Sequence, residues 1–279
     1  MFEEMKTRHF IGLLILLSIV FGFIFGVLSI FIPNGDEFVE AGITLVLYVV
    51  APVLFFRHHF RKQGRSVREV VFKEGAVEWL PSLLGIVVIS IAFSLSIFWL
   101  QLFALYPLFP GFVDFLLEPI PMPENPVYLG IMLISIAVIG PIAEEFIFRG
   151  VLLHRMMKKT SMWGGIIISS ILFGILHADV FGAFIFGVIA SLLYIKTRNL
   201  LIPILMHIIN NSIAVIWMYV APTSPKWGIM NSSELYEKAL PNAIVLVISS
   251  ILIGWVIVRL MKELPKKPHI EVASEEGAQ

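Results

Sequence analysis

The feature that most constrains this chain is an apolar run from Val127 to Leu153 that contains three charged side chains, those of Glu144, Glu145 and Arg149. A run of this length can span a bilayer, for which about 20 apolar residues suffice. A charge at bilayer depth costs roughly 2.5–3.5 kcal/mol on the insertion scale, so three charges in one span need a reason. Charges at a helix end can reach the headgroups, but Glu144 and Glu145 lie well inside the run, which favours a functional site.

Helical spacing separates the two acids. Glu145 and Arg149 are four residues apart, so they share a helix face and can form an ion pair. Glu144 is rotated by about 100° from Glu145. The residues three and four positions away from Glu144 are all uncharged: Gly140, Pro141, Ile147 and Phe148. We therefore predict that Glu145 and Arg149 form a structural pair and that Glu144 acts as a general acid or base.

Composition assigns the chain to the polytopic membrane proteins. Of its 279 residues, 58% are hydrophobic and 14% are charged, and the mean hydropathy is +0.92. Such values exclude an ordinary soluble domain. The formal net charge is zero, so no nucleic-acid partner is expected. The chain has no cysteine, which excludes disulfides, thiolate metal sites and a cysteine nucleophile.

We predict an all-α, polytopic integral membrane protein of about eight transmembrane helices, with the active site in the bundle core. The apolar segments cover residues 10–32, 41–56, 80–106, 127–153, 163–178, 181–195, 200–221 and 242–260. They would form a single domain over residues 1–261, with a catalytic core at about 80–221. Residues 262–279 are polar and are expected to be a disordered cytoplasmic tail.

The distribution of basic residues predicts the orientation. All but Lys226 and Lys238 of the 20 Lys and Arg residues fall on one side of the alternating segments. The positive-inside rule makes that side cytoplasmic, together with both termini. Residues 57–73 alternate basic and apolar side chains, which fits a helix on the anionic inner leaflet and equally a solvated linker.

The fifth and sixth segments are each only about 15 residues long, which is short of a comfortable span. They meet at His177, and glycines at 174, 182 and 187 lie around the junction. We expect a tight helical hairpin whose tip can stop inside the membrane and lean on protein.

Two of the seven histidines, His177 and His207, lie within or at the tip of apolar segments. A single such histidine is as readily a hydrogen-bonded core residue as a functional one. Two of them, with an unpaired Glu144 on a third helix, favour a site. Asn211 follows His207 by one turn, so the two could offer N–H donors to an oxyanion, although Asn also commonly joins membrane helices. Phe173 precedes His177 by one turn and could pack against its ring.

Three motifs occur in order on separate predicted helices: Glu144-Glu145-x-x-x-Arg149, Phe173-x-x-x-His177 and His207-x-x-x-Asn211. They resemble the motifs of the type II CAAX prenyl endopeptidases, the Rce1-like branch of the CPBP (ABI) superfamily. The resemblance covers about residues 80–221. It implies an intramembrane glutamate protease without metal or other cofactor. Such a protease removes the last three residues of a prenylated (farnesyl or geranylgeranyl) Cys-a-a-X protein in a cavity open to the cytoplasm.

The same resemblance implies a role for each matched residue. Glu144 would activate a water and His177 would orient or deprotonate it, while His207 and Asn211 would hold the developing oxyanion. Glu145 and Arg149 match the second acid and the basic residue of the first motif. We expect a monomer in contact with membrane lipid. Since the chain has neither cysteines nor a eukaryotic sorting signal, a prokaryotic plasma membrane is the expected location, where the substrate could also be another lipidated or a plain peptide.

Other interpretations stay open. Glu144, His177 and His207 form a His₂Glu set of the kind that binds catalytic zinc, although no His-Glu-x-x-His helix is present. The superfamily also includes immunity and scaffold proteins, which are not enzymes. Intramembrane Glu and His also build proton pathways in transporters. A transporter would show paired broken helices in corresponding halves of the chain, and the sequence has no such symmetry.

Overall fold

The computed structural model describes residues 2–71, 74–118, 122–220, 232–262 and 264, and these residues form helices and no strands. Its apolar helices are α1 (Thr7–Ser29), α2 (Gly35–Lys62), α3 (Val77–Leu105), α4 (Pro126–Lys159), α5 (Met162–Ile175), α6 (Val180–Thr197), α7 (Leu201–Val220) and α8 (Ala239–Lys262). Each corresponds to one predicted segment. Six are long and apolar enough to cross a membrane. The other two have shorter apolar stretches, which are the whole of α5 and the part of α7 from Leu201 to Trp217. The prediction of an all-α polytopic membrane protein is confirmed.

The second span is longer than the apolar pattern indicated. It begins at Gly35 and continues to Lys62, so the basic residues up to Lys62 end a membrane helix and do not form a separate surface helix. Aromatic packing explains the extension. Phe55, Phe56 and Phe60 are buried, and Phe56 contacts Phe146 of α4 with ring centroids 5.1 Å apart. A separate short helix, Val67–Val71, follows.

Helix α6 lies at the centre of the bundle. Its buried residues include Ile189, Leu192 and Leu193, and it packs against α3, α5, α7 and α8. The hairpin that it forms with α5 is close because small side chains face each other. A methyl group at Gly187 would lie 3.1 Å from Cβ of Ser170. The sequence predicted that the segments now seen as α5 and α6 would both be short for a membrane span. Only α5 is short, because α6 has 18 residues and is long enough to span.

Helix α4 is irregular on both sides of the two acids. The regular turns Gly140–Glu145 lie between π-helical stretches at Ser135–Ile139 and Phe146–Leu152. Such π-helical turns are rare and are frequently found at functional sites. The predicted tail, residues 262–279, lies outside the described residues apart from Lys262, which ends α8, and Leu264. The predicted domain boundary stays a prediction.

Candidate active site

Three helices bring one acid and two imidazoles together. Glu144 of α4 places Oε2 4.0 Å from Nε2 of His177, which follows the C-terminal end of α5. The same oxygen lies 3.9 Å from Nε2 of His207 on α7. The Glu144 side chain is 21% exposed and that of His177 36% exposed, whereas His207 is buried. The convergence expected from the sequence is therefore present, at distances slightly longer than a direct hydrogen bond.

The second acid is enclosed. Glu145 accepts a hydrogen bond from Nη1 of Arg149 at 2.7 Å, so the pair expected from helical spacing is present. The side chains of Glu145 and Arg149 are 0% and 1% exposed. The same carboxylate oxygen of Glu145 also accepts from Nδ1 of His207 at 2.8 Å. Glu145 thus links the arginine of its own helix to a histidine of α7.

Hydrogen bonds at Nδ1 indicate the tautomers of both histidines. Nδ1 of His177 lies 2.7 Å from the carbonyl oxygen of Phe173, which can only accept. Nδ1 of His207 faces the Arg149-paired carboxylate of Glu145, which also accepts. We infer that each neutral ring carries its proton on Nδ1. Each ring then presents the lone pair of Nε2 toward Glu144.

Phe173 packs against the charged and imidazole groups of the site. It is buried, and the His177 ring lies against it with centroids 4.4 Å apart, as the motif spacing suggested. The guanidinium of Arg149 lies 4.5 Å from the Phe173 ring centroid, which is within the range of a cation–π contact. The rings of Phe173 and His207 are 5.7 Å apart. Phe173 therefore helps to fix the orientation of all three side chains.

Asn211 is engaged with the backbone of α4. Its Nδ2 donates to the carbonyl oxygen of Ile136 at 3.0 Å. The π-helical register explains why this carbonyl needs a donor. The N–H of Gly140 donates five residues back, to Ser135, and the next donor in that register would be residue 141, a proline without an N–H. Asn211 therefore joins α7 to α4, which was the alternative to its acting as an oxyanion donor. Its Nδ2 carries a second hydrogen, which can be donated to another acceptor.

A small residue lets an aromatic side chain approach Glu144. A methyl group at Gly140 would lie 3.8 Å from Oε1 of Glu144 and 3.7 Å from Cε1 of Tyr48 on α2. Tyr48 is therefore close to the site, although it lies in an apolar segment that carried no motif. The sequence also gave no signal for the contact between Glu145 and His207, because it joins two helices 62 residues apart.

Within the described parts of the chain, no group of three His, Asp or Glu side chains is arranged to hold a metal ion. Oε2 of Glu144 and Nε2 of His177 and of His207 nevertheless face one another at about 4 Å.

Comparisons with known proteins agree with the motifs. Residues 126–213, which include every predicted site residue, match the family model described as type II CAAX prenyl endopeptidase Rce1-like. A stretch of 224 residues is 26% identical to the membrane-embedded CAAX protease MroQ of Staphylococcus aureus (strain USA300), covering 75% of this chain and 87% of MroQ.

A shorter stretch of 89 residues is 35% identical to YdiL of Bacillus subtilis (strain 168), by its name a candidate membrane peptidase. It covers 31% of this chain and 36% of YdiL, so the chain spans about a third of that relative. No solved structure matches the chain.

Proposed function

We propose that this chain, whose residues 126–213 match the type II CAAX prenyl endopeptidase Rce1-like family model, is an intramembrane peptidase that uses Glu144 to activate water. The observation that carries the proposal is the approach of Oε2 of Glu144 to Nε2 of both His177 and His207, at 4.0 and 3.9 Å. Each of these atoms accepts hydrogen bonds when the carboxylate is ionised and the imidazoles are neutral.

Three acceptors that face one another suit a nucleophilic water. A water has two hydrogens, so it can donate one to Glu144 and one to an imidazole, and direct a lone pair at a substrate carbonyl. Polar groups about 4 Å apart are commonly joined by such a bridging water. The partly exposed His177 and Glu144 lie on the open side of the cluster, where a peptide could approach.

The proposed hydrolysis balances without a covalent intermediate on the protein. Glu144 takes a proton from the water as its oxygen bonds to the scissile carbonyl carbon, which gives a tetrahedral oxyanion. The C–N bond then breaks, and Glu144 passes the proton to the departing amine. His177 is the orienting base of this scheme, held through Phe173.

The oxyanion requires N–H donors. Asn211 has one amide hydrogen beyond that given to Ile136. His207 donates through Nδ1 to Glu145, so its neutral ring accepts from the water at Nε2 and can donate to the oxyanion only after Nε2 has taken up a proton from solvent. The buried carboxylate of Glu145 fixes the tautomer and orientation of that ring, much as the aspartate of a serine-protease triad does for its histidine. We therefore assign Glu145 a positioning role in addition to its pairing with Arg149.

A prenylated Cys-a-a-X protein is the proposed substrate, on the strength of the family resemblance. The surface next to His177 suits a lipid chain, because Leu176 and Phe181 at the α5–α6 tip are exposed apolar side chains. Burial of a prenyl chain contributes about 0.8 kcal/mol per methylene. The proposed orientation, with the site open to the cytoplasm of a prokaryotic cell, rests on the distribution of basic residues.

The test is incubation of the purified protein with a farnesylated Cys-a-a-X peptide and detection of the released tripeptide by mass spectrometry. We expect release by the wild-type protein and none by Glu144→Gln, which keeps the side-chain shape but cannot take a proton. Glu78→Gln, which alters an exposed acid, is the matched control and should cleave normally. A Glu144→Gln protein that turns over at the wild-type rate would contradict the proposal.

Two further peptides address the substrate. The same sequence without the farnesyl group tests the need for the lipid, and a palmitoylated version tests the need for a prenyl chain. Equal cleavage of all three would retain the peptidase and reject the prenyl specificity.

A further inference from the structure

A cavity of about 630 Å³ lies between the N-terminal end of α1 and the C-terminal end of α2. It is formed by residues outside the family-matched region and is separate from the site around Glu144. Five of its lining side chains are basic or imidazole groups: Lys6, His9, His58, His59 and Lys62.

A second cavity of about 580 Å³ adjoins the first and shares Leu54, His58 and Lys62 with it. It adds Arg57 and Arg61 to the basic surface. Glu4 is the one carboxylate among the residues that line the two cavities. The combined lining is therefore positively charged and suits an anion.

The basic end of the cavity lies where two membrane spans begin and end. Lys6 directly precedes α1, and Lys62 is the last residue of α2. The two helix ends are held side by side by Phe10 and Phe55, whose ring centroids are 5.1 Å apart. Lys6 and Lys62 thus occupy the boundary between the hydrocarbon and the headgroups, where basic side chains attract anionic lipids.

The other end of the cavity is apolar. Leu13 and Leu54 belong to its lining, and each lies about two turns inside its span. Leu54 is 49% exposed, so it offers surface to a hydrocarbon chain. A free phosphate ion would use only the basic end, whereas a phospholipid would use both.

One imidazole of the cavity is held in place. Nδ1 of His59 lies 2.9 Å from the carbonyl oxygen of Phe55, and the His59 ring packs on Phe55 with centroids 4.3 Å apart. Since a carbonyl only accepts, His59 donates its Nδ1 proton to the backbone of its own helix. The wall next to the basic end is thus ordered before any ligand binds.

We propose that this cavity binds an anionic phospholipid, with the headgroup phosphate between Lys6 and Lys62 and an acyl chain along Leu13 and Leu54. The bound lipid joins α1 to α2, the first two of the apolar helices α1 to α3 that precede the family-matched region. It is a site distinct from the proposed peptidase centre and does not depend on that activity.

Native mass spectrometry of the full-length protein tests the proposal. The protein is released from micelles that contain phosphatidylglycerol or phosphatidylcholine with the same acyl chains. We expect a one-to-one adduct with phosphatidylglycerol and none with phosphatidylcholine. Lys6→Ala/Lys62→Ala should weaken phosphatidylglycerol binding about 25-fold, since each basic residue contributes about a factor of five.

The matched control is Lys159→Ala/Lys262→Ala, which removes two exposed charges at the ends of α4 and α8. It should bind like the wild type, and so should Lys6→Arg/Lys62→Arg, which keeps the charge. Millimolar inorganic phosphate or glycerol phosphate should leave the adduct in place, because neither reaches the apolar end. Displacement by phosphate, an equal adduct with phosphatidylcholine, or equal weakening in the control pair would overturn the proposal.

Discussion

Nδ1 of His207 lies 2.8 Å from Oε1 of Glu145, across the boundary between α7 and α4. The contact gives the site two acids with different surroundings. Glu144 is partly exposed and faces two imidazoles, while Glu145 is enclosed and holds one of them. Neighbouring carboxylates placed in different environments can take different catalytic roles.

Glu145→Gln tests the positioning role. A carboxamide can still accept from Arg149, but its NH₂ can donate to Nδ1 of His207. The ring proton would then move to Nε2, which could no longer accept a hydrogen bond from the water beside Glu144. By analogy with a triad aspartate, kcat should fall about 10²–10⁴-fold. KM for the farnesylated peptide should change little. Steady-state tripeptide release at several peptide concentrations measures both, and an unaltered kcat would reject this role.

Arg149→Ala tests the buried pair. Removal of the guanidinium leaves the Glu145 charge buried beside His207 alone, and loss of one partner of a buried pair typically costs about 3–5 kcal/mol. We expect a markedly lower Tm by tryptophan fluorescence in detergent. Arg8→Ala, at an exposed arginine, should leave Tm unchanged.

The double variant Glu145→Leu/Arg149→Leu separates stability from activity. Since both charges are removed together, it should recover much of the stability lost in Arg149→Ala. It should stay inactive, because His207 then lacks its acid. A double variant as unstable as Arg149→Ala would show that the stranded charge is not the cause.

The hairpin is tested through Gly174. A methyl group there would lie 2.6 Å from the carbonyl oxygen of Val180 and 3.2 Å from Cβ of Phe184, so Gly174→Ala must separate α5 from α6 near His177. Overpacking of this kind costs about 1–3 kcal/mol. We expect both a lower Tm and a lower kcat. Gly254→Ala in α8, where a methyl group meets nothing within 4 Å, should alter neither.

Chelation tests the metal alternative. The proposed mechanism needs no metal, so protein dialysed exhaustively against EDTA and 1,10-phenanthroline should retain its rate of tripeptide release. A zinc protease treated in parallel confirms that the chelators work. Loss of activity that returns on addition of Zn²⁺ would favour a His₂Glu zinc site instead.

The sequence predicted those parts of the site that depend on local geometry. Four-residue spacing on a helix was enough to pair Glu145 with Arg149 and to place Phe173 against His177, because both contacts lie within one segment or at its end. The helix count also followed from apolar length. The contact from His207 to Glu145 depends on how α7 rotates and packs against α4, which a single helical wheel does not specify.

The π-helical turns of α4 are a second feature that could not be predicted from the sequence. The 3.6-residue period gave no indication that Gly140 donates to Ser135, and hence none that the Ile136 carbonyl would lack a backbone donor. Pro141 was visible in the sequence, but which carbonyl it leaves without a partner depends on the register. The sequence therefore placed Asn211 near His207 but did not identify the Ile136 carbonyl as the group to which Asn211 donates.

Asn211→Leu tests whether this amide acts as an interhelical bond, as an oxyanion donor, or as both. The variant leaves the Ile136 carbonyl without its side-chain donor, and a hydrogen bond of this kind, at an exposed position, contributes about 0.5–1.5 kcal/mol. It also removes a donor from the proposed oxyanion site, which costs about 10²–10³-fold in kcat. A second substitution separates the two effects. Pro141→Ala restores a backbone N–H in the register of Ile136, so Pro141→Ala/Asn211→Leu should regain stability. It should not regain kcat, because the backbone N–H cannot reach the substrate.

Recovery of both Tm and kcat would limit Asn211 to joining the helices. An unchanged Tm in Asn211→Leu alone would contradict the assigned bond to Ile136.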